Sequence, residues 1–563
     1  MPDVPEDARV TLEYSDNPVW QCVTALPSIF SDNTHVATSI AHSLYALNVA
    51  RGVANSQPII AEAFRYWQDN ARDSMLVSAL DRNSDLKIGT LVASPWLRTS
   101  ERQTLQMQQL ANYFDTDKAR AEHDRLVTAL AALQQPDGGF TWFVYPGCHS
   151  SRWATGQVLE IIGNLRQLGY QPADDRLDQM INRALTYYDN ETVDQSKKKE
   201  NKKAIFSTYA YTRSLFSDVP MSKNARKLYN NTIKKMAKQW GKLDLSLTSK
   251  AFYAMALERG GKHKEAARIA ESLRQFASVK PEIGMYWDQY RTERWFTPSQ
   301  VAATSVILRA MNMADPRQPE LDQIRKWMLQ SKRTTDWGGS SLAADAVQSL
   351  LSTGSQWIER GQQPTITVDD TPLTLDRFDA FVGYTRRDID ARAGSQIAIQ
   401  RTGTATPAWG GIYWQYTQPM QDVQAASIRE ASITKQIVAL DAAEQPTTAA
   451  ICVGDKVRVR LVITCDQAMD YVQITDERAS CFEPADKLSG YRYQEGIGYY
   501  RETRDSATHL FIDHLPKGTH VLTYDAFATM PGTFASGIAT LQSQQAPEMT
   551  AHSAGQLLVV VEK

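Results

Sequence analysis

The feature that most constrains this chain is a change of period. Up to about Gly354 apolar residues recur every three or four positions, and after about Gln362 they recur every second one. The first spacing lines one face of a helix and the second lines one face of a strand. Leu126, Leu130 and Leu133 follow the helical spacing. So do Val158, Ile161, Ile162, Leu165 and Leu168, which end at Gly169 just past a helix cap. Further helices are expected over 180–188, 205–215, 247–257, 266–276, 301–311, 324–329 and 342–351. Alanine and serine on their contact faces, as in SLTSKAFYAMA, let helix axes approach closely.

The connections repeat as well. Gln134-Gln135-Pro136-Asp137-Gly138-Gly139-Phe140 follows one helix. Gln330-Ser331-Lys332 with Asp336-Trp337-Gly338-Gly339-Ser340 follows another, and Gly284-Met285-Tyr286-Trp287 is a weaker third copy. Paired glycines permit positive φ, the aspartate bonds nearby amides, and the aromatic plugs the gap between successive helix pairs. A repeated helix–glycine turn–helix unit predicts an α/α toroid, with a linear solenoid as the alternative. The second half reads as antiparallel β-sandwich: TITVDDTPLTL, DKVRVRLVITC, MDYVQITDERA, THLFIDHL and THVLTYDAFAT all alternate. Pro516-Lys517-Gly518-Thr519 is a turn between two of these strands, and LLVVV (557–561) is expected to be a buried last strand. The fold class is multidomain α + β, a toroid followed by sandwiches.

With 563 residues the chain exceeds one hydrophobic core. A net charge of −2 gives no electrostatic case for nucleic acid or an anionic membrane, and the basic run KKKENKK (197–203) reads as a solvated loop. Five scattered cysteines exclude a zinc knuckle and a dense disulfide scaffold. Cys452 and Cys465 flank one strand-like run, and the sequence leaves their pairing open. The first ten residues have no signal-peptide pattern, and no apolar stretch approaches the ~18 residues that span a bilayer. The opening VTLEY (10–14) reads as a strand with nothing before it to pair with, which favours a fragment of a longer chain over a cytoplasmic protein.

Catalytic signals are weak. Asp174-Asp175-Arg176-Leu177-Asp178 fits the pattern of a terpene-cyclase magnesium site, but it opens a helix, where acidic residues cap free amides and complement the dipole. No DxDD acid of the other cyclase class is present. Cys148-His149 cannot chelate zinc as neighbours, and as a nucleophile–base pair it lacks an orienting fold contact; a loop at the toroid mouth is expected there. No nucleotide-binding or triad motif appears. We expect no catalytic residues, no cofactor and no metal site.

Particular residues do resemble a known family. Asn17-Pro18-Val19-Trp20 with Val23-Thr24-Ala25-Leu26-Pro27 resembles the entry to the thioester domain of bacterial α2-macroglobulins. Residues 136–143 (PDGGFTWF) with 151–159 resemble that domain's glycine turn and following helix, and Pro407-Ala408-Trp409-Gly410-Gly411-Ile412-Tyr413-Trp414 resembles the exit of its CUB-like domain. The tail matches most specifically: Cys481-Phe482-Glu483-Pro484, Ser489-Gly490-Tyr491-Arg492, Gly498-Tyr499-Tyr500, Thr503-Arg504-Asp505 and Leu515-Pro516-Lys517-Gly518-Thr519. It is similar to the terminal macroglobulin domain (MG10-like) of the form common in Bacteroidetes.

The resemblance implies residues 1–16 as a strand of a CUB-like domain and 17–355 as a thioester-like toroid. It further implies 356–435 as a CUB-like β segment and 436–563 as the terminal macroglobulin-like sandwich. It also implies peptidase inhibition, a periplasmic or cell-envelope location, upstream macroglobulin domains in a longer chain, and proteases or other envelope proteins as partners. Counting from Ala25-Leu26-Pro27, the family's CxEQ thioester motif falls on Val36 and Ser39, which supply neither a thiol nor a side-chain acyl group. His35 is then a surface histidine. The implied function is non-covalent trapping with the thioester lost. A protein-binding scaffold or adhesion module is the alternative, and a toroidal terpene cyclase or glycosidase a third.

Overall fold

A computed structural model describes residues 8–30, 35–56, 58–69, 96, 104–105, 108–281, 283–288, 299–335, 337–354, 364–375, 383–392, 394–401, 408–428, 430–546 and 549–562. Thr34, Asp336, Pro407 and the expected boundary at 355/356 lie outside the described residues.

The chain opens with strand β1 (Arg9–Ser15) and then turns helical. The helices are α1 (Pro18–Ile29), α2 (Ala37–Ser56), α3 (Pro58–Asp69), α4 (Thr116–Ala132), α5 (Arg152–Gln167), α6 (Asp175–Lys197) and α7 (Ser207–Ser214). They continue with α8 (Lys223–Gln239), α9 (Leu247–Arg259), α10 (His263–Arg274), α11 (Gln300–Ala314), α12 (Gln318–Thr334) and α13 (Ser340–Thr353). Their contacts form a closed cycle. α2 packs on α5, α5 on α7, α7 on α9, α9 on α11, α11 on α13, and α13 returns to α1 and α2. α4, α6, α8, α10 and α12 each pack against this inner cycle from outside. The composition of the faces explains the two layers. Inner α9 buries an almost continuous run from Ala251 to Leu257, whereas outer α10 buries only Ala266, Ile269, Ala270 and Leu273. A helix apolar all round is covered on both sides, and an amphipathic one lies at the surface.

The glycine turns behave as expected. At Gly138 φ is +94°, and a Cβ there would lie 2.6 Å from the Arg183 carbonyl oxygen. The plugging aromatics Phe140, Trp287 and Trp337 are fully buried. The second copy differs from expectation: Gln330-Ser331-Lys332 is the last turn of α12 rather than a loop. Hydroxyls there satisfy the terminal carbonyls, with Ser331 Oγ donating to Met328 O at 2.7 Å and Thr335 Oγ1 to Ser331 O at 2.8 Å. The third copy folds as a hairpin of β2 (Ser278–Lys280) and β3 (Gly284–Tyr286) that packs on α12.

Beyond the ring come β4 (Thr365–Val368), β5 (Thr371–Pro372), β6 (Tyr384–Ile389), β7 (Ile397–Gln400) and β8 (Trp409–Gln415). β1 lies between β6 and β8, antiparallel to both, so the opening strand pairs with residues almost 400 positions on (Val10 faces Ile389 and Trp414). Glu13 of β1 is buried and accepts from Arg333 of α12 at 3.1 Å and from the Tyr413 hydroxyl at 3.0 Å, which ties this sheet to the ring.

The terminal sandwich contains β9 (Ala431–Leu440), β10 (Pro446–Thr447), β11 (Ile451–Cys452), β12 (Lys456–Cys465), β13 (Met469–Glu477), β14 (Phe482–Pro484) and β15 (Gly490–Gln494). It continues with β16 (Ile497–Thr503), β17 (Ala507–Leu515), β18 (Gly518–Ala528), β19 (Gly532–Ala535), β20 (Ala539–Ser543), β21 (Thr550–His552) and β22 (Leu557–Val561). One sheet runs β10-β9-β12-β18-β14 and the other β15-β16-β17-β13-β20-β21. Their inner faces meet through Ile433, Leu461, Ile463, Ile474, Leu510, Ile512 and Leu522. The five cysteines are unbonded, Cys452 and Cys465 included. β22 corrects the reading of LLVVV as a buried strand. It is the middle of a three-stranded sheet with β11 and β19, and only Leu558 and Val560 turn toward the core. Leu557, Val559 and Val561 are exposed, because a strand covered on one face alternates whatever its composition.

Candidate functional site

Val36 and Ser39 sit at the entry to α2. Val36 is the residue before the helix, and its carbonyl accepts from the Ile40 amide at 3.1 Å. The Ala37 amide donates to Trp142 O at 3.1 Å, which pins the helix entry to the first glycine-turn loop. That loop is braced from several sides. Asp137 Oδ1 accepts from the Gly139 amide at 3.0 Å and from the Ser150 hydroxyl. The Gln134 amide nitrogen donates to Gly138 O and Met180 O, and the Phe140 amide donates to Thr155 Oγ1 at 2.8 Å.

The two positions themselves carry no thiol and no side-chain acyl group. Val36 offers hydrocarbon and Ser39 a half-buried hydroxyl. The thiol nearest in sequence, Cys22 in α1, is fully buried, and burial pushes it up to about 12, far from a reactive thiolate. Cys148 is half-buried and accepts from the Gln135 side-chain amide at 3.6 Å. His35 is exposed. What the corner does present is aromatic surface: Trp142 (36% exposed), Phe143 (52%), Tyr145 (49%) and Trp153 (52%). The Phe143 and Tyr145 rings lie 5.6 Å apart, tilted at 46°, and the Arg152 guanidinium lies 4.8 Å over the Trp153 ring. A run of aromatics on a hydrophilic chain predicts burial, so the sequence pattern alone did not mark this patch.

Asp174 settles the acidic run 174–178. Its side chain caps α6 by accepting from the Arg176 and Leu177 amides, and it also meets His123 at 3.1 Å. Burial works to raise its pKa, yet bonds from the Arg176 guanidinium and these amides hold it at about 2. Among the described residues no group of three His, Cys, Asp or Glu side chains could hold a metal ion.

The ring encloses one further feature, a cavity of about 90 Å³ lined by His42, Tyr45, Gln157, Glu160, Asp345 and Gln348, among others. This is well below the roughly 300–1,000 Å³ of small-molecule sites. Asp345 is engaged by the buried Arg309 at 2.7 Å, and Gln348 accepts from Tyr45 and donates to Asn164 O. Enclosure lowers the His42 imidazole to about 4, against a smaller upward pull from its bond to the Thr38 backbone. Of the two carboxylates lining the cavity, Glu160 and Asp345, the second is already paired to Arg309.

By fold, this is a multidomain α + β protein: a closed helical ring followed by antiparallel sandwiches. Residues 431–548, most of the terminal sandwich, match the family model of the bacterial alpha-2-macroglobulin MG10 domain. Among solved structures, trypsin-activated alpha-2-macroglobulin from Escherichia coli is 13% identical, with 99% of this chain and 35% of that one covered and a TM-score of 0.45. Salmonella alpha-2-macroglobulin reacted with methylamine is 14% identical, with 99% and 32% covered and a TM-score of 0.38. The chain spans 32% of the length of that Salmonella protein. No curated protein matches the chain.

Proposed function

We propose that this chain is the C-terminal portion of an alpha-2-macroglobulin-like protein that traps peptidases without a covalent bond. The observation that carries the reading is the corner at Val36 and Ser39. It keeps the helix entry and the braced glycine turn, but neither Val36 nor Ser39 supplies a thiol or an acyl group, and Cys148 and Gln135 meet elsewhere in the loop at 3.6 Å. The MG10 match of the tail supports the family, and the ring and sandwich order supports the placement. The domain partition at 1–16, 17–355, 356–435 and 436–563 goes with this reading. So do upstream macroglobulin domains, a periplasmic or envelope location, and protease or envelope-protein partners. Among the described residues no helix is long and apolar enough to cross a membrane.

A second reading, a protein-binding scaffold or adhesion module, is favoured by the exposed aromatic patch around Trp142, Phe143, Tyr145 and Trp153. One experiment separates the two. The protein purified from its native source is mixed with endopeptidases and passed over a sizing column, and activity is read on a large protein and on a small peptide. Trapping predicts co-elution, lost activity on the large substrate, retained activity on the small one, and full release of the peptidase in detergent. Free elution with both activities intact overturns trapping and leaves the scaffold.

A further inference from the structure

The outer face of the sheet β15-β16-β17-β13-β20-β21 carries an aromatic that a solvent-facing position does not explain. Leu510 and Ile512 of β17 turn into the sandwich core, so Phe511 between them points outward. Yet Phe511 is only 1% exposed. Its cover is Trp96, a residue that falls between α3 and α4 in sequence and is itself 1% exposed. The indole meets Phe511 edge-on at 5.2 Å and Tyr471 edge-on at 5.6 Å, with interplanar angles of 89° and 90°. Its Nε1–H donates to Asp513 Oδ1 at 2.6 Å. Tyr500, paired with Phe511 across the ladder, closes another side.

The sheet is modified to hold this ring. Tyr471 has φ of +54°, a left-handed conformation that a bulky residue adopts only where its surroundings impose it. The β13–β17 ladder pairs Asp470 with His514 and Val472 with Ile512, but skips Tyr471 opposite Asp513. The inward-facing parity changes there too, from Met469 to Val472 and Ile474. Two aromatic edges and one carboxylate acceptor therefore converge at the interruption. That set matches the needs of a tryptophan: apolar cover for the ring faces and an acceptor for its one N–H.

We propose that Tyr471, Tyr500, Phe511 and Asp513 form an indole socket on the terminal sandwich. Its ligand class is a tryptophan side chain, and Trp96 occupies it in cis as a latch between the helical part of the chain and the sandwich. The inference stands apart from peptidase trapping, because it rests only on the contacts of Trp96 with the sandwich's outer face. The test uses the full chain and N-acetyl-L-tryptophanamide as probe, followed by calorimetry or saturation-transfer NMR. Trp96→Ala, shown folded by circular dichroism, is expected to take up one probe, while the wild type takes up none. Adding Asp513→Ala weakens uptake by about tenfold, the effect of one hydrogen bond to a charged acceptor. Uptake by neither protein, or equally by both, overturns the proposal. Should Trp96→Ala fail to fold, Trp96→Phe and Asp513→Ala in the full chain are compared by hydrogen exchange of the β13 and β17 amides around Tyr471 and Phe511. Each is expected to speed exchange by about fivefold, and unchanged exchange in both overturns the latch.

Discussion

Asp476 has no contact with solvent, and burial alone would push its pKa up and favour the neutral acid. Lys435, itself buried, opposes this from 2.7 Å while donating to the Glu477 and Ser536 carbonyls, and the Tyr524 hydroxyl donates to the same carboxylate. Removing one partner of such a pair leaves an uncompensated buried charge. Lys435→Met is expected to cost about 3–5 kcal/mol, measured as a lower urea midpoint, and Asp476→Leu in the same background should restore much of it. His42 makes a pH-dependent case. Its folded value of about 4 lies below the ordinary 6.5, so the unfolded chain binds its proton more tightly. The stability it contributes is present above pH 6.5 and lost as pH falls toward 4, by about 2–3 kcal/mol. Glu160, Tyr45 and the Asp345–Arg309 pair share or border the cavity and are present in both proteins, so the difference between wild type and His42→Leu reads the imidazole. Unfolding free energy measured between pH 6.5 and 4 should fall less steeply in the variant. Nothing in the residue order around position 42 marks that enclosure, which exists only once five inner helices, α2, α5, α9, α11 and α13, meet.

At the scale of elements, the turns carry the account. Gly138→Ala must place a methyl 2.6 Å from the Arg183 carbonyl at a φ of +94°, so either the turn or α6 gives way. A loss of about 2–3 kcal/mol is expected, read as a lower Tm, and an unchanged Tm would show that the turn does not hold the ring. These turns were legible because glycine, aspartate and a following aromatic each have one physical role there. Most of the helices were legible from period, down to Gly169 at φ +72°, but α1, α2, α3 and α8 were not singled out. What the pattern could not give was burial in layers of unequal cover. LLVVV reads as core on composition, yet Leu557, Val559 and Val561 are exposed, because among the described residues β22 is covered on one face only. The skipped residue in β13 did leave a trace, since Met469, Val472 and Ile474 break strict alternation. Without the partner strand, that break is indistinguishable from a strand end.

For the whole molecule, closure of the helices into a ring follows from the return contact of α13 on α1 and α2, a pairing across more than 300 residues that no local pattern encodes. The same holds for β1, whose partners β6 and β8 lie beyond the entire ring. The corner at the entry to α2 was located by counting from Ala25-Leu26-Pro27, and Ala37, the residue after Val36, is tied to Trp142 of the braced loop. The claim that organises the rest is that this corner holds no thioester. Methylamine opens a thioester by adding to its acyl carbon and releasing a thiol. The direct test is intact-mass and peptide mapping of the protein after incubation with methylamine. The account predicts an unmodified mass and no new reactive thiol, whereas a single methylamine adduct on any glutamine, with a cysteine released in step, would contradict it.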